Sequence, residues 1–128
     1  TGITDAMLEA QGLDLGEALS QLDAFRAGDP VYAWGKDELT SLAPSLFVQG
    51  TQSPIPAQAF RSAVPLLVKA GLPPDTVITL RSHTLCAHFG LPEAGPAHDA
   101  KGDALSVAHV LRHLLQRGDL VAGDFARP

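Results

Sequence analysis

The spacing of apolar residues predicts a chain built mostly of helices. A short helix runs from Thr4 to Ala10 and ends at Gly12, and a second helix follows as far as Gly28. The longest helix has the clearest pattern and runs from about Asp99 to Gln116, because apolar residues recur there at helical spacing and Gly118 follows as a stop.

The middle of the chain predicts shorter elements. Val31 to Trp34 is β-branched and aromatic and is the clearest strand, whereas a helix from Lys36 to Leu42 is broken or kinked at Pro44. A loop from Gln49 to Pro56 precedes a further helix from Phe60 to Val68. One strand has no partner for its backbone groups, so either further strands are hidden in the pattern or residues outside this sequence complete the sheet.

Composition narrows the class of protein. The 128 residues are 45% hydrophobic and 18% charged, as suits one globular domain. The net charge of −5 excludes binding of nucleic acid by backbone charge alone, so such binding requires a local patch or bound metal ions. Cys86 is the single cysteine, which excludes an internal disulfide and fits a reducing, cytoplasmic location. The sequence contains no transmembrane span and no signal segment, so no membrane partner is expected.

The first candidate for chemistry is the start of the last helix. Asp103 shares a helix face with Val107 and Val110, which places its carboxylate at the edge of the buried side. His98 precedes it by five positions and must approach from the preceding loop. A half-buried carboxylate beside an imidazole suits a metal or catalytic site, but an ordinary arrangement, with Asp99 as the helix cap and Asp103 solvated, remains open.

Other candidates carry weaker patterns. Asp37 follows the strand at its carboxyl end, where open α/β sheets gather ligand groups, although an ordinary first-turn aspartate is the alternative. His109 and His113 are four apart on one helix face, but no third metal ligand is evident and a solvated face is favoured. Cys86 is expected to be a small buried residue.

Together these pieces resemble the DEDD superfamily of 3′–5′ exonucleases in its histidine-bearing branch, which includes ribonuclease T and the proofreading subunit of bacterial DNA polymerase III. The third motif of that family is matched by His98, Ala100, Asp103 and Ala104. The second motif is matched by the strand followed by Trp34, Gly35 and Asp37. The resemblance covers residues 1–118, and residues 119–128 are expected to form a C-terminal tail.

The resemblance implies an α/β fold of the ribonuclease-H-like exonuclease type. The family's first motif, an Asp-x-Glu pair on the first strand, has no match in this chain. We therefore expect the chain to be the helix-rich C-terminal two-thirds of such a domain, with the first strands and the acidic pair upstream in a parent protein.

The resemblance also implies a mechanism. Two Mg²⁺ or Mn²⁺ ions would assist hydrolysis of phosphodiester bonds at the 3′ ends of single-stranded RNA or DNA, with RNA slightly favoured. Asp37 and Asp103 would be metal ligands and His98 the general base. The 128-residue chain alone would bind metal weakly and would not cleave.

Two aromatic residues are candidates for contact with substrate, and two other classes of function stay open. Trp34 is a weak candidate for contact with substrate and Phe47 a second one, although core packing is favoured for both. Two alternatives stay open, namely a catalytically dead nuclease-like binding module and a helical protein-interaction domain. The oligomeric state is not predicted.

Overall fold

The computed structural model describes residues 3–34, 37–95 and 99–126, with only the backbone of 37–41 and 126. It is a helix-rich mixed α/β structure with a small parallel sheet of two strands. The helices are α1 (Asp5–Gln11), α2 (Leu15–Arg26), α3 (Asp37–Gln49), α4 (Val64–Lys69), α5 (Pro74–Val77), α6 (Leu85–His88), α7 (Ala100–Arg117) and α8 (Ala122–Ala126). The strands are β1 (Val31–Ala33) and β2 (Phe60–Ser62), and short 3₁₀ turns occupy Ala57–Ala59 and Ser82–Thr84.

The chain divides into two compact units. Unit 1 contains Thr1–Val31 and Lys36–Arg61, and unit 2 contains Tyr32–Gly35 and Ser62–Pro128. Each unit is therefore described by itself.

Polar side chains fix the helix starts in unit 1. The hydroxyl of Thr4 accepts a hydrogen bond from the backbone of Met7 at 3.2 Å, and Asp14 accepts one from Glu17 at 2.8 Å, so both helices begin at side-chain caps. The helix α2 ends at Arg26, and Ala27 then adopts a left-handed conformation with φ of 49°.

The helix α3 is longer than the sequence pattern predicts. It passes through Pro44 and continues to Gln49, so of the break or kink expected at this proline, the break is wrong. Leu42 and Leu46 lie on either side of the proline, are half-buried and extend the same face. Both side chains line a cleft of unit 1, and the proline between them removes one backbone hydrogen bond from the helix.

The strand β2 is the partner that the lone predicted strand required. It occupies Phe60–Ser62, where the apolar spacing predicted the start of a helix. The strand β1 is equally short but stands out by its β-branched and aromatic residues, whereas β2 contains no β-branched residue and is too short to show a two-residue alternation. Beyond it, the backbone N–H of Ala63 donates to the carbonyl of Ala33 at 2.7 Å, which continues the pairing to the start of α4.

The core of unit 2 is aliphatic and is organised around α7. Its most buried side chains include Leu67, Val77, Leu85, Val110 and Leu114, each at most 1% exposed. Because α4, α5 and α6 are short, they are held by packing in the core around α7 rather than by their own helical propensity.

The segment expected to form a tail carries α8. Leu120 is 1% exposed and belongs to the core of unit 2. Tyr32 donates a hydrogen bond to the carbonyl of Phe125 at 2.9 Å, and their rings meet edge to face with centroids 5.6 Å apart. Residues 120–125 are therefore integrated into unit 2.

None of the helices in the described ranges combines the length and the apolar character that a membrane span requires.

Candidate functional site

The start of α7 is held by an aspartate cap. The carboxylate of Asp99 accepts a hydrogen bond from the backbone N–H of Gly102 at 2.9 Å, and its carbonyl accepts one from Asp103 at 2.8 Å. This confirms the capping role that the sequence allowed for Asp99. It also fixes Asp103 in the first helical turn, one position after the buried Gly102.

Asp103 lies at the edge of the buried face of α7, as its spacing predicts. Ser106 and Val107 are 3% and 8% exposed, and Asp103 itself is half-buried. Its Oδ1 atom is buried, and among the residues that the structure describes it has no hydrogen-bond partner. A buried carboxylate oxygen without a donor is costly in the free protein, and a bound cation would remove that cost.

The loop before α7 presses against the same turn. A Cβ atom on Gly95 would lie 2.8 Å from the Cα of Gly102, so only glycine fits the close approach of the two backbones. The loop is anchored at its other end, where the N–H of Leu91 donates to the carbonyl of Cys86 at 2.8 Å. His98, the expected general base, lies outside the described residues.

The two expected metal ligands belong to different units. Asp37 is the first residue of α3 in unit 1, and its side chain lies outside what the structure describes, whereas Asp103 is in unit 2. Their convergence on one pocket stays a prediction.

The described part of the chain contains no group of three or more histidine, cysteine, aspartate or glutamate side chains that could hold a metal ion. Asp103 therefore has the chemistry of one metal ligand but stands there without a complete ligand set. The expected site requires donors beyond the described side chains.

The two aromatic candidates differ in their surroundings. Trp34 is half-buried and packs against the core of unit 2, and its indole N–H donates to the carbonyl of Leu80 at 3.1 Å. These contacts account for the residue structurally. Phe47 is 87% exposed on α3, so the core packing favoured for it from the sequence is wrong.

Cys86 is buried in the core, as expected. It is 2% exposed, and its Sγ lies 3.7 Å from the carbonyl oxygen of Ser106 as a weak hydrogen-bond donor. The thiol is a packing group of unit 2.

Two clefts were not visible in the sequence. In unit 1, an apolar cleft of about 400 Å³ is lined by side chains that include Leu46, Ile55 and Phe60. In unit 2, a cleft of about 240 Å³ brings His109 and His113 together with Arg112 and Glu93. Both histidines are half-buried, so this helix face is not simply solvated.

Comparisons of the chain with protein-family models, curated proteins and solved structures found no match.

Proposed function

We propose that the chain is part of a metal-dependent 3′–5′ exonuclease that hydrolyses phosphodiester bonds at single-stranded nucleic-acid ends, with RNA slightly favoured over DNA. The observation that carries the proposal is the buried Oδ1 of Asp103, which lacks a hydrogen-bond partner among the described residues. The resemblance assigns a metal ligand to this same position. The finer fold, a ribonuclease-H-like exonuclease domain, is part of the proposal.

The donor chemistry suits a hard divalent cation. Asp103 and Asp37 would offer carboxylate oxygens, which Mg²⁺ and Mn²⁺ prefer. A pair of such ions stabilises the attacking and leaving oxygens of a phosphodiester displacement. Because the described residues hold no group of three ligands, the proposal requires further carboxylates. The resemblance places them in an Asp-x-Glu pair upstream in the parent protein.

His98 has a separate role in the proposal. Its imidazole takes the proton of the attacking water, since this side chain exchanges protons near neutral pH. Asp99 serves the site indirectly, because its cap holds the first turn of α7 in which Asp103 stands. Asp99 is thus a positioning residue that touches neither metal nor substrate.

A second candidate function is a nuclease-like module that binds nucleic acid or nucleotides without cleaving them. It is consistent with the described side chains, which do not include those of Asp37 and His98 and which hold no group of three metal ligands. In that case Asp103 would still bind a cation, but the chemistry of water activation would be missing.

The test is an assay of 3′-end trimming on single-stranded RNA and DNA with Mg²⁺ or Mn²⁺, using the parent protein and the 128-residue chain. We expect the parent to trim and the chain alone to be inactive. Asp103→Asn should lower the rate of the parent about 100-fold or more, because it removes a charged metal ligand. The matched control is Asp99→Asn, four residues away, because asparagine caps helices as well as aspartate does.

The outcomes separate the two candidates. His98→Ala in the parent should lower the rate about 100-fold or more, as expected for loss of a general base. Unchanged activity in His98→Ala would remove the proposed base. Binding of nucleoside monophosphate that depends on Mn²⁺, without trimming by the parent, would support the binding module. Metal-dependent trimming by the chain alone would contradict the need for upstream carboxylates.

A further inference from the structure

The cleft beside α7 has a polar wall made by one helix face. His109, Arg112, His113 and Gln116 line it from α7, and the segment from Leu91 to Glu93 forms the opposite wall. Residues three and four apart are neighbours on a helix, so these four side chains form one row along the cleft. The row offers a guanidinium, two imidazoles and an amide, all of which donate hydrogen bonds.

The cleft is lined by one guanidinium and one carboxylate. Within the described ranges, Arg112 forms no ion pair, although Glu93 lines the same cleft. By contrast, Arg117 at the end of α7 pairs with Asp119 at 3.1 Å. Arg112 is therefore a cation with its donors available, beside a cavity.

Packing holds one imidazole of the row in place. The ring of His113 meets the ring of Phe89 edge to face, with centroids 6.0 Å apart. The ring of Phe89 also meets the ring of His88 edge to face, with centroids 5.1 Å apart. Phe89 is itself packed against the core of unit 2. A donor restrained in this way loses less freedom when it binds a ligand.

We propose that this cleft binds a small molecule through an oxyanion, a carboxylate or a phosphate, held by Arg112 together with His109 and His113. The guanidinium fork matches the paired oxygens of such groups. Leu91 provides apolar contact on the other wall, and the volume of about 240 Å³ suits a small ligand. The site is independent of the proposed nuclease centre, because it uses none of the residues assigned there.

The experiment titrates the isotope-labelled chain with inorganic phosphate and, separately, with acetate, and follows side-chain NMR signals of arginine and histidine. We expect saturable shifts at the cleft residues. Arg112→Gln should weaken binding about tenfold or more, because it removes a charge-assisted hydrogen-bond pair. Arg117→Gln is the matched control on the same helix and should leave the affinity unchanged.

Glu93 provides a test of opposite sign. Glu93→Gln should tighten anion binding about threefold, because it removes a negative charge that faces the ligand. The ion that binds more tightly identifies the source, a phosphate group or a carboxylate. Absence of saturable binding by both ions, equal losses in Arg112→Gln and Arg117→Gln, or weaker binding in Glu93→Gln would each overturn the proposal. Circular dichroism of every variant confirms that it is folded.

Discussion

Two carboxylates of unit 2, Asp124 and Asp103, each lie in the first turn of a helix and have opposite surroundings. Asp124 in α8 is 9% exposed, and its Oδ2 accepts a hydrogen bond from the N–H of Val121 at 2.9 Å. Its other oxygen forms an ion pair with Lys69. Asp103 in α7 has a buried Oδ1 that no donor in the described ranges contacts.

The difference separates a structural carboxylate, Asp124, from the carboxylate that we propose as a metal ligand, Asp103. The contacts of Asp124 connect α8 to α4 and compensate the loss of hydration, so this residue stabilises the fold. For Asp103, the described residues provide no such compensation at Oδ1, and a carboxylate oxygen buried without a donor is expected to cost stability in the free protein. Residues that cost stability in this way are concentrated at sites where a ligand supplies the missing contact.

Asp124→Ala should have the largest effect on stability. We expect the free energy of unfolding to fall by about 3 kcal/mol, because Lys69 loses its partner and the N–H of Val121 loses its acceptor. Urea unfolding measures the change. Asp119→Ala, which breaks the more exposed pair with Arg117, is the control and should cost about 0.5 kcal/mol. Similar losses in the two variants would contradict the structural role of Asp124.

Gly95→Ala should lower the free energy of unfolding by an intermediate amount. The new Cβ would lie 2.8 Å from the Cα of Gly102, so the loop must move away from α7 at a cost of about 2 kcal/mol. Gly123→Ala is the control, because a Cβ there meets nothing within 4 Å and alanine favours the helix α8. Thermal unfolding of both variants checks the contrast. Equal melting temperatures would show that the loop does not press on the first turn of α7.

Asp103→Ala should change the free energy of unfolding least, and it should stabilise the protein rather than destabilise it. Removing a buried carboxylate oxygen that lacks a donor should raise the free energy of unfolding by about 1 kcal/mol. Urea unfolding in the absence of divalent metal measures it against Asp124→Ala. A loss as large as that of Asp124→Ala would show that Asp103 is a structural residue.

The sequence predicted those helices that have a long apolar period or a recognisable capping residue. The helix α7 and its stop at Gly118, where φ is 82°, follow from apolar spacing and a glycine that tolerates a left-handed conformation. The strand β2 and the helix α8 were missed because three and five residues do not establish a period. They are fixed instead by contacts with distant parts of the chain.

The candidate site, like the fold, was predicted from the sequence only in part. The spacing on α7 placed Asp103 at the edge of the buried face, where the structure has it. The polar cleft was not predictable, because Glu93 and Arg112 meet only after the loop folds against the helix. The available signal was the pair His109 and His113, four residues apart on one helix face, for which the sequence favours a solvated face.

Mn²⁺ binding followed by NMR tests the central claim, that Asp103 binds a divalent cation, most directly. Bound Mn²⁺ broadens the signals of nearby amides, so low concentrations added to the chain should first broaden those around Asp103. Asp103→Asn should abolish this broadening, whereas Asp99→Asn should preserve it. Broadening spread over the exposed carboxylates of the chain and unchanged in Asp103→Asn would contradict the account.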